Sequence, residues 1–252
     1  MGDICMKATK IEFRLRTAIN AIILWIGFYA PWIHAWGIGS RIPLRAWLIL
    51  KIGGLGLVSY PTAITLVVLL GALIAAKGLV FRLWGSAWLG PATVSHADMK
   101  GEALVADGPY RYVRNPLYIG LWAMTVALAF LMPVSGALFV LVAIPLFMLR
   151  LTLAEEAYLS EKLGPPYLEY LRAVPRLIPR FRSSLPHSGR KPQWFRAILS
   201  ELTPIGVFLA MAVFSWGYDL GLGERIIVVC FGLSLVVRAL LPAMVTKDNP
   251  AE

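Results

Sequence analysis

The chain has 252 residues, 58% of them hydrophobic and only 15% charged, with a mean hydropathy of +0.70. A water-soluble domain of this length has too little interior to hide so much apolar surface, so a soluble globular fold is excluded. The net charge of +10 would suit a nucleic-acid binder, but its lysines and arginines crowd between apolar runs, over 7–16, 77–114 and 172–196. That is the pattern of cytoplasmic loops beside anionic headgroups, and no separate basic and aromatic surface for nucleic acid stands apart from it.

The first apolar run, Ala18 to Trp36, follows Lys7, Lys10, Arg14 and Arg16. It is long and lacks a small-residue cleavage site, so it reads as an uncleaved first span rather than a signal peptide. Ala46 to Tyr60 is broken by Lys51, Gly53, Gly54 and Gly56; it is short for a crossing and predicts a re-entrant or interfacial helix. Pro61 opens a stronger run to about Val80, and Leu117–Leu131 and Val134–Leu149 form a tight helical hairpin around Pro133. Ser183 to Pro192, rich in Pro, Ser and Gly, reads as a linker before Ile198–Gly217 and Arg225–Leu241, which are joined by a turn carrying Gly221 and Gly223.

The expected fold is therefore all-α: a polytopic helical membrane protein with about six transmembrane helices plus one short re-entrant or interfacial helix. Its parts are an N-terminal membrane region (1–60), a membrane core (61–182), a linker (183–197) and a C-terminal two-helix hairpin with its tail (198–252). If 46–60 does not cross, all three basic regions and Lys247 fall on one side, satisfying the positive-inside rule. Cys5 and Cys230 lie at opposite ends, and His34, His96 and His187 have no ligand spacing, so neither a disulfide framework nor a metal site is expected.

Gly108 to Gly120 reads G-P-Y-R-Y-V-R-N-P-L-Y-I-G, a polar strip set directly against an apolar run. Polar groups at a hydrocarbon boundary are costly, so this is a candidate functional site. The pattern predicts a turn at Gly108-Pro109, an extended stretch to Asn115, and a helix with Asn115 at the N-cap and Pro116 at its first position. The free N–H groups of that helix end would suit a carboxylate. Arg111 and Arg114 would either serve the same purpose or act as positive-inside charges, and Tyr110, Tyr112 and Tyr118 would either face the rim or sit at headgroup level. Glu155 and Glu156 follow at the exit of the hairpin. About 100° of helix separates neighbours, so only one of them can face squarely inward.

Three ordered segments resemble the isoprenylcysteine carboxyl methyltransferase and phospholipid methyltransferase superfamily: Arg114-Asn115-Pro116-Leu117-Tyr118-Ile119-Gly120, Glu155-Glu156, and Gly164, Tyr167, Tyr170, Val174, Pro175 and Arg176. The lead-in Leu104-Val105 and Gly108-Pro109-Tyr110 also matches, so the resemblance covers about residues 80 to 180. It implies a membrane-embedded enzyme that binds S-adenosyl-L-methionine in a pocket opening to the cytoplasm and takes a lipidic or hydrophobic acceptor from the bilayer. By position, Leu104, Val105, Tyr110, Asn115, Pro116, Leu117, Tyr118 and Glu155 would bind the cofactor, with Glu155 meeting its ammonium. Ser95 aligns only loosely. Asn115, Tyr118 and Glu156 are the catalytic candidates, and Arg111, Arg114 and Arg150 the candidates for acceptor binding.

Two departures qualify this. Asn115 replaces the family's usual histidine, as in bacterial-type relatives, and asparagine carries no proton to transfer. That likeness implies a multi-pass protein of a bacterial inner membrane. Leu151 occupies the place where prenylcysteine enzymes have an arginine, which weakens the case for a prenylcysteine carboxylate as substrate. Two other classes compete: an NADPH-dependent membrane reductase of the sterol-reductase type, and a non-catalytic membrane partner or transporter. The acidic pair fits a methyl donor better than a nicotinamide. Oligomeric state is not legible.

Overall fold

The computed structural model describes residues 7–29, 42–89, 104–182, 185–186 and 191–247. Among them every regular element is helical. Lys10–Arg14 (α1) and Arg16–Tyr29 (α2) lead to Leu44–Gly54 (α3) and Tyr60–Leu89 (α4). A 3-10 turn at Gly108–Arg111 precedes Pro116–Ala129 (α5), Val134–Leu163 (α6) and Pro165–Ala173 (α7), and Trp194–Ser200 (α8), Leu202–Gly217 (α9) and Leu220–Lys247 (α10) follow.

Among the described residues, α4, α6 and the Leu220–Val237 part of α10 are long and apolar enough to cross a membrane, and α8 with α9, bent by 73° at their junction, makes up to a fourth. The apolar helices α2 and α5 have 14 residues each, about 21 Å of rise, against a hydrocarbon layer of about 30 Å. Length and composition thus support an all-helical membrane protein, with three or four candidate spans among the described residues; the expected six are not confirmed. The later part of the first run, residues 30–36, lies outside the described residues, as do Cys5, Ser95 and all three histidines.

The helices pack in a sense that brings particular ends together. The Ala8 amide donates to the Arg150 carbonyl oxygen at 3.1 Å, so α2 starts beside the polar end of α6; fourteen residues earlier on α6, Gly136 meets Gly27 near the opposite end of α2. Helix α3 sits at that far end. Its first amides, Leu44 and Arg45, donate to the carbonyls of Met132 and Phe130 at 2.8 and 3.0 Å, so the α5–α6 turn satisfies donors that a helix start leaves unpaired. The other end of α3 returns to Tyr60, whose ring stands where a Gly53 side chain would be. The helix therefore stays at one end of the bundle, as its broken composition implied.

Small residues set the closest approaches, as is usual where helices pack without a hydrophobic driving force between them. A Cβ on Gly136 would run into the Gly27 carbonyl oxygen, and one on Gly27 into Val140. Gly136→Ala is expected to push α2 off α6 and cost about 1–3 kcal/mol, read as a fall of several degrees in the melting temperature of the detergent-purified protein. An unchanged melting curve would mean that the two helices separate freely.

The C-terminal hairpin is tied to α4 by charge. Arg82 donates from Nε to Glu201 Oε2 at 2.7 Å and from Nη2 to Oε1 at 2.8 Å, and the Ser86 hydroxyl also donates to Oε1. Glu201, at the α8–α9 bend, has no exposed surface. The Gln193 amide adds a bond to the Ala87 carbonyl at 2.8 Å. Helix α8 begins at Trp194, inside the stretch expected to be linker.

Candidate active site

At 30 residues, α6 rises about 45 Å, well beyond the hydrocarbon layer, so its last turns stand clear of the lipid. Those turns carry Glu155 and Glu156. Gly164, at φ +62°, then reverses the chain; this left-handed conformation favours glycine. Helix α7 folds back with Tyr167 and Tyr170 buried, packed with Val174 against Leu104 and Ala106.

The segment after α7 zips onto the Gly108–Gly120 strip. Arg114 N donates to Pro175 O at 2.9 Å and Arg180 N to Tyr112 O at 3.0 Å. The Asn115 amide donates to the Arg176 carbonyl at 3.2 Å, and the Tyr170 hydroxyl to the Tyr110 carbonyl at 2.8 Å. Burial pushes the Tyr170 phenol well above its usual range, so it keeps its proton and remains the donor. The helix begins at Pro116 as the pattern predicts, with Asn115 in the capping position, but the Asn115 side chain makes no capping bond; it holds the tail instead. The strip also differs from the expected extended stretch: residues 108–111 coil into a 3-10 turn. Trp88 stands where a Gly108 side chain would be, and Gly108 has φ +56°, so position 108 suits only glycine.

The two glutamates diverge as the helical twist requires. Glu156 is buried and accepts from Arg114 Nη1 at 2.8 Å, Arg176 Nε at 3.1 Å and Arg176 Nη2 at 2.6 Å. Both of its oxygens are thus engaged by guanidinium groups, and it clamps the strip to the tail. Glu155 turns towards α5, where the Tyr118 hydroxyl lies 3.4 Å from Oε2, a long and weak bond. The Arg16 charge, from the start of α2, acts on it from another side. Nearby, the Tyr110 hydroxyl is buried without a hydrogen-bond partner among the described residues. Burial chiefly, with the Glu155 and Glu201 charges, holds that phenol well above its usual range, against the pull of Arg82. Leu117 packs on Gly85, and Pro116 is fully buried; Leu104 and Val105 are partly buried.

The three arginines expected to bind an acceptor have other partners. Arg114 holds Glu156, Arg111 donates to the Leu185 carbonyl, and Arg150 pairs with Glu12 at 2.9 Å. None lines the cavity of about 430 Å³ that opens between α4, α5 and α6. Its walls are mainly apolar, including Phe81, Ile119, Trp122, Pro145, Met148 and Leu149, with Tyr118, Thr152 and Arg176 as polar members and Lys77 at its edge. Arg176 to Pro179, from the segment after α7, also line it. Among the described residues no cluster could hold a metal ion.

Residues 66–165 match the family model for phospholipid methyltransferase. Over that segment the chain is similar to the isoprenylcysteine carboxyl methyltransferase and phospholipid methyltransferase superfamily. A curated relative, the Protein-S-isoprenylcysteine O-methyltransferase of Schizosaccharomyces pombe (strain 972 / ATCC 24843), is 43% identical over 82 residues, 32% of this chain and 34% of the relative. The chain therefore spans about a third of the length of that relative. No solved structure matches. The superfamily segment contains α5, most of α4 and both glutamates, but stops at residue 165. Arg176 and the C-terminal hairpin lie beyond it. Sequence reasoning placed Arg176 in a motif without giving it a task, and the Val-Pro-Arg run was the signal available. It gave no part to Thr152, Arg82 or Glu201, which carry no local signature.

Proposed function

We propose that this chain is an integral-membrane S-adenosyl-L-methionine-dependent methyltransferase acting on a lipidic or small hydrophobic acceptor, with its site at the cytoplasmic face. The observation that carries the reading is the junction at Tyr118: it lines the apolar cavity and its hydroxyl meets Glu155. A chamber for a charged nucleotide and a channel for a greasy partner thus share one wall. The residues present fit the methyl donor. Glu155 offers a carboxylate to an ammonium, the buried Tyr110 hydroxyl lacks, among the described residues, a partner that a ligand would supply, and Asn115 to Leu117 form the start of the helix that carries Tyr118. When bound there, the donor supplies a methyl group on a sulfonium.

The protein's part is then alignment and exclusion of water. The Arg114–Glu156–Arg176 clamp and the Asn115 bond hold the strip against the tail, and Arg176–Pro179 line the cavity. Asn115 does not titrate, so we assign it orientation. Glu156 carries two guanidinium partners, so its task is positioning rather than taking a proton. Tyr118 and Thr152 remain the hydroxyl groups on the cavity wall, and they would orient an amine or thiol acceptor that enters in its deprotonated, nucleophilic form. A carboxylate acceptor would need no base. The relative's name points to prenylcysteine, but Leu151 is fully buried among Phe13, Phe147 and Ala154, which leaves no acceptor-facing cation at that place. The cations lining the cavity here are Arg176 and Lys77.

Ligand-dependent melting tests the proposal. S-adenosylhomocysteine should raise the melting temperature of the purified protein, because a ligand bound only by the folded state stabilises it. A rise with NADPH and none with S-adenosylhomocysteine would transfer the reading to the reductase class.

A further inference from the structure

One stretch of α4 supports the whole strip. Gly78 packs on the Gly120 carbonyl, Gly85 on Leu117 and Pro116, and Trp88 on Gly108; Trp84 stacks on Tyr112 with ring centres 6.1 Å apart. Arg82 belongs to the same face. Its Cγ and Cδ would stand 2.7 and 3.0 Å from a Gly120 side chain, so the stem lies across the second turn of α5, two residues beyond Tyr118. A guanidinium there is a fixed positive charge beside a chamber that the proposed function fills with a cation. Glu201, delivered by the C-terminal hairpin and wholly buried, accepts from its Nε and Nη2 in a two-pronged pair, and the Ser86 hydroxyl also donates to the carboxylate. The hairpin lies outside the family-matched segment, so the superfamily core does not itself supply this countercharge.

We propose that Glu201 is a positioning residue for the cofactor chamber: it neutralises Arg82 and holds it against Gly120, so that the chamber admits a sulfonium cation. This rests on the methyl-transfer reading. S-adenosylmethionine and S-adenosylhomocysteine differ at sulfur by one positive charge, so an unmasked Arg82 penalises the first more than the second, which a merely structural tie would not do.

The test compares wild type, E201Q and the double variant R82M/E201M, which removes both charges and replaces them with apolar side chains, a change that buried ion pairs often tolerate. Dissociation constants for both nucleotides are measured by calorimetry, together with melting temperature and hydrogen exchange over residues 108–120. E201Q should lose about tenfold in affinity for S-adenosylmethionine and less than about threefold for S-adenosylhomocysteine, and its strip should exchange faster. R82M/E201M should regain the wild-type ratio between the nucleotides. Equal losses for both nucleotides in E201Q, or no loss, would overturn the proposal, as would a ratio that stays altered in the double variant. Wild-type protein that binds neither nucleotide would instead sink the methyl-transfer reading. In that case, unchanged exchange over 108–120 in E201Q would dismiss the positioning role as well, and faster exchange would uphold its mechanical half.

Discussion

Glutamine at position 155 is expected to weaken S-adenosylhomocysteine binding by about 2–3 kcal/mol, roughly 30- to 150-fold, while the ligand-free protein melts as before. Glu155 is the carboxylate at the chamber that lacks a short hydrogen bond: its contact with Tyr118 is 3.4 Å long, and the opposing charge comes from Arg16. A ligand ammonium would supply the close, charge-assisted donor that the protein does not. Glutamine keeps the shape and a carbonyl acceptor but removes the charge, so the loss should fall on the ligand. Calorimetric titration of the variant and a melting curve without ligand check both halves. If Glu155 serves chiefly to hold Arg16, the pattern reverses: the variant melts early and binds normally.

Glutamine at position 156 should do the opposite. Glu156 sits between two guanidinium groups, with side-chain exposures of 10% for Glu156, 13% for Arg114 and 36% for Arg176. A neutral amide leaves both cations without their countercharge at a buried place, and breaking such a group by removing one partner costs about 3 kcal/mol. The tail also loses its strongest tie to the strip, so trypsin should cut after Arg176 or Arg180 faster than in wild type. Glu156→Asp, which retains the charge on a shorter stem, should recover part of the stability. Should Glu156→Gln melt like wild type and bind S-adenosylhomocysteine poorly while Glu155→Gln melts early and binds it normally, the two glutamates have exchanged roles.

Local chemistry explains which of these features could be read without coordinates. Pro116 after Asn115 ahead of an apolar run favours a helix start, and neighbours on a helix must diverge, so the different aims of Glu155 and Glu156 follow from geometry alone. The broken composition of 46–60 likewise signalled a segment that stays at one end of the bundle. What side chains do once packed was less accessible. Asn115 was expected to cap its own helix; it bonds the Arg176 carbonyl because α7 brings the tail within reach, a fact set by the Gly164 reversal. Arg150 was offered to an acceptor and instead meets Glu12, which also closes a capping box with Thr9. The short rise of α5 was hidden because apolar runs were counted without knowing where each helix stops. The Arg82–Glu201 pair joins residues 119 positions apart, and no periodicity or spacing announces such a partner.

That pair has a consequence for ancestry. A buried arginine without its glutamate is a burden that selection would remove, and in this chain the glutamate comes with the C-terminal hairpin. Homologues that end soon after the tyrosine-bearing turn should therefore show a neutral residue in place of Arg82, whereas those that keep the two additional helices should retain both charges or lose both. The appendage and the older core would then be inherited as one linked trait, with a single helical position recording whether the union took place.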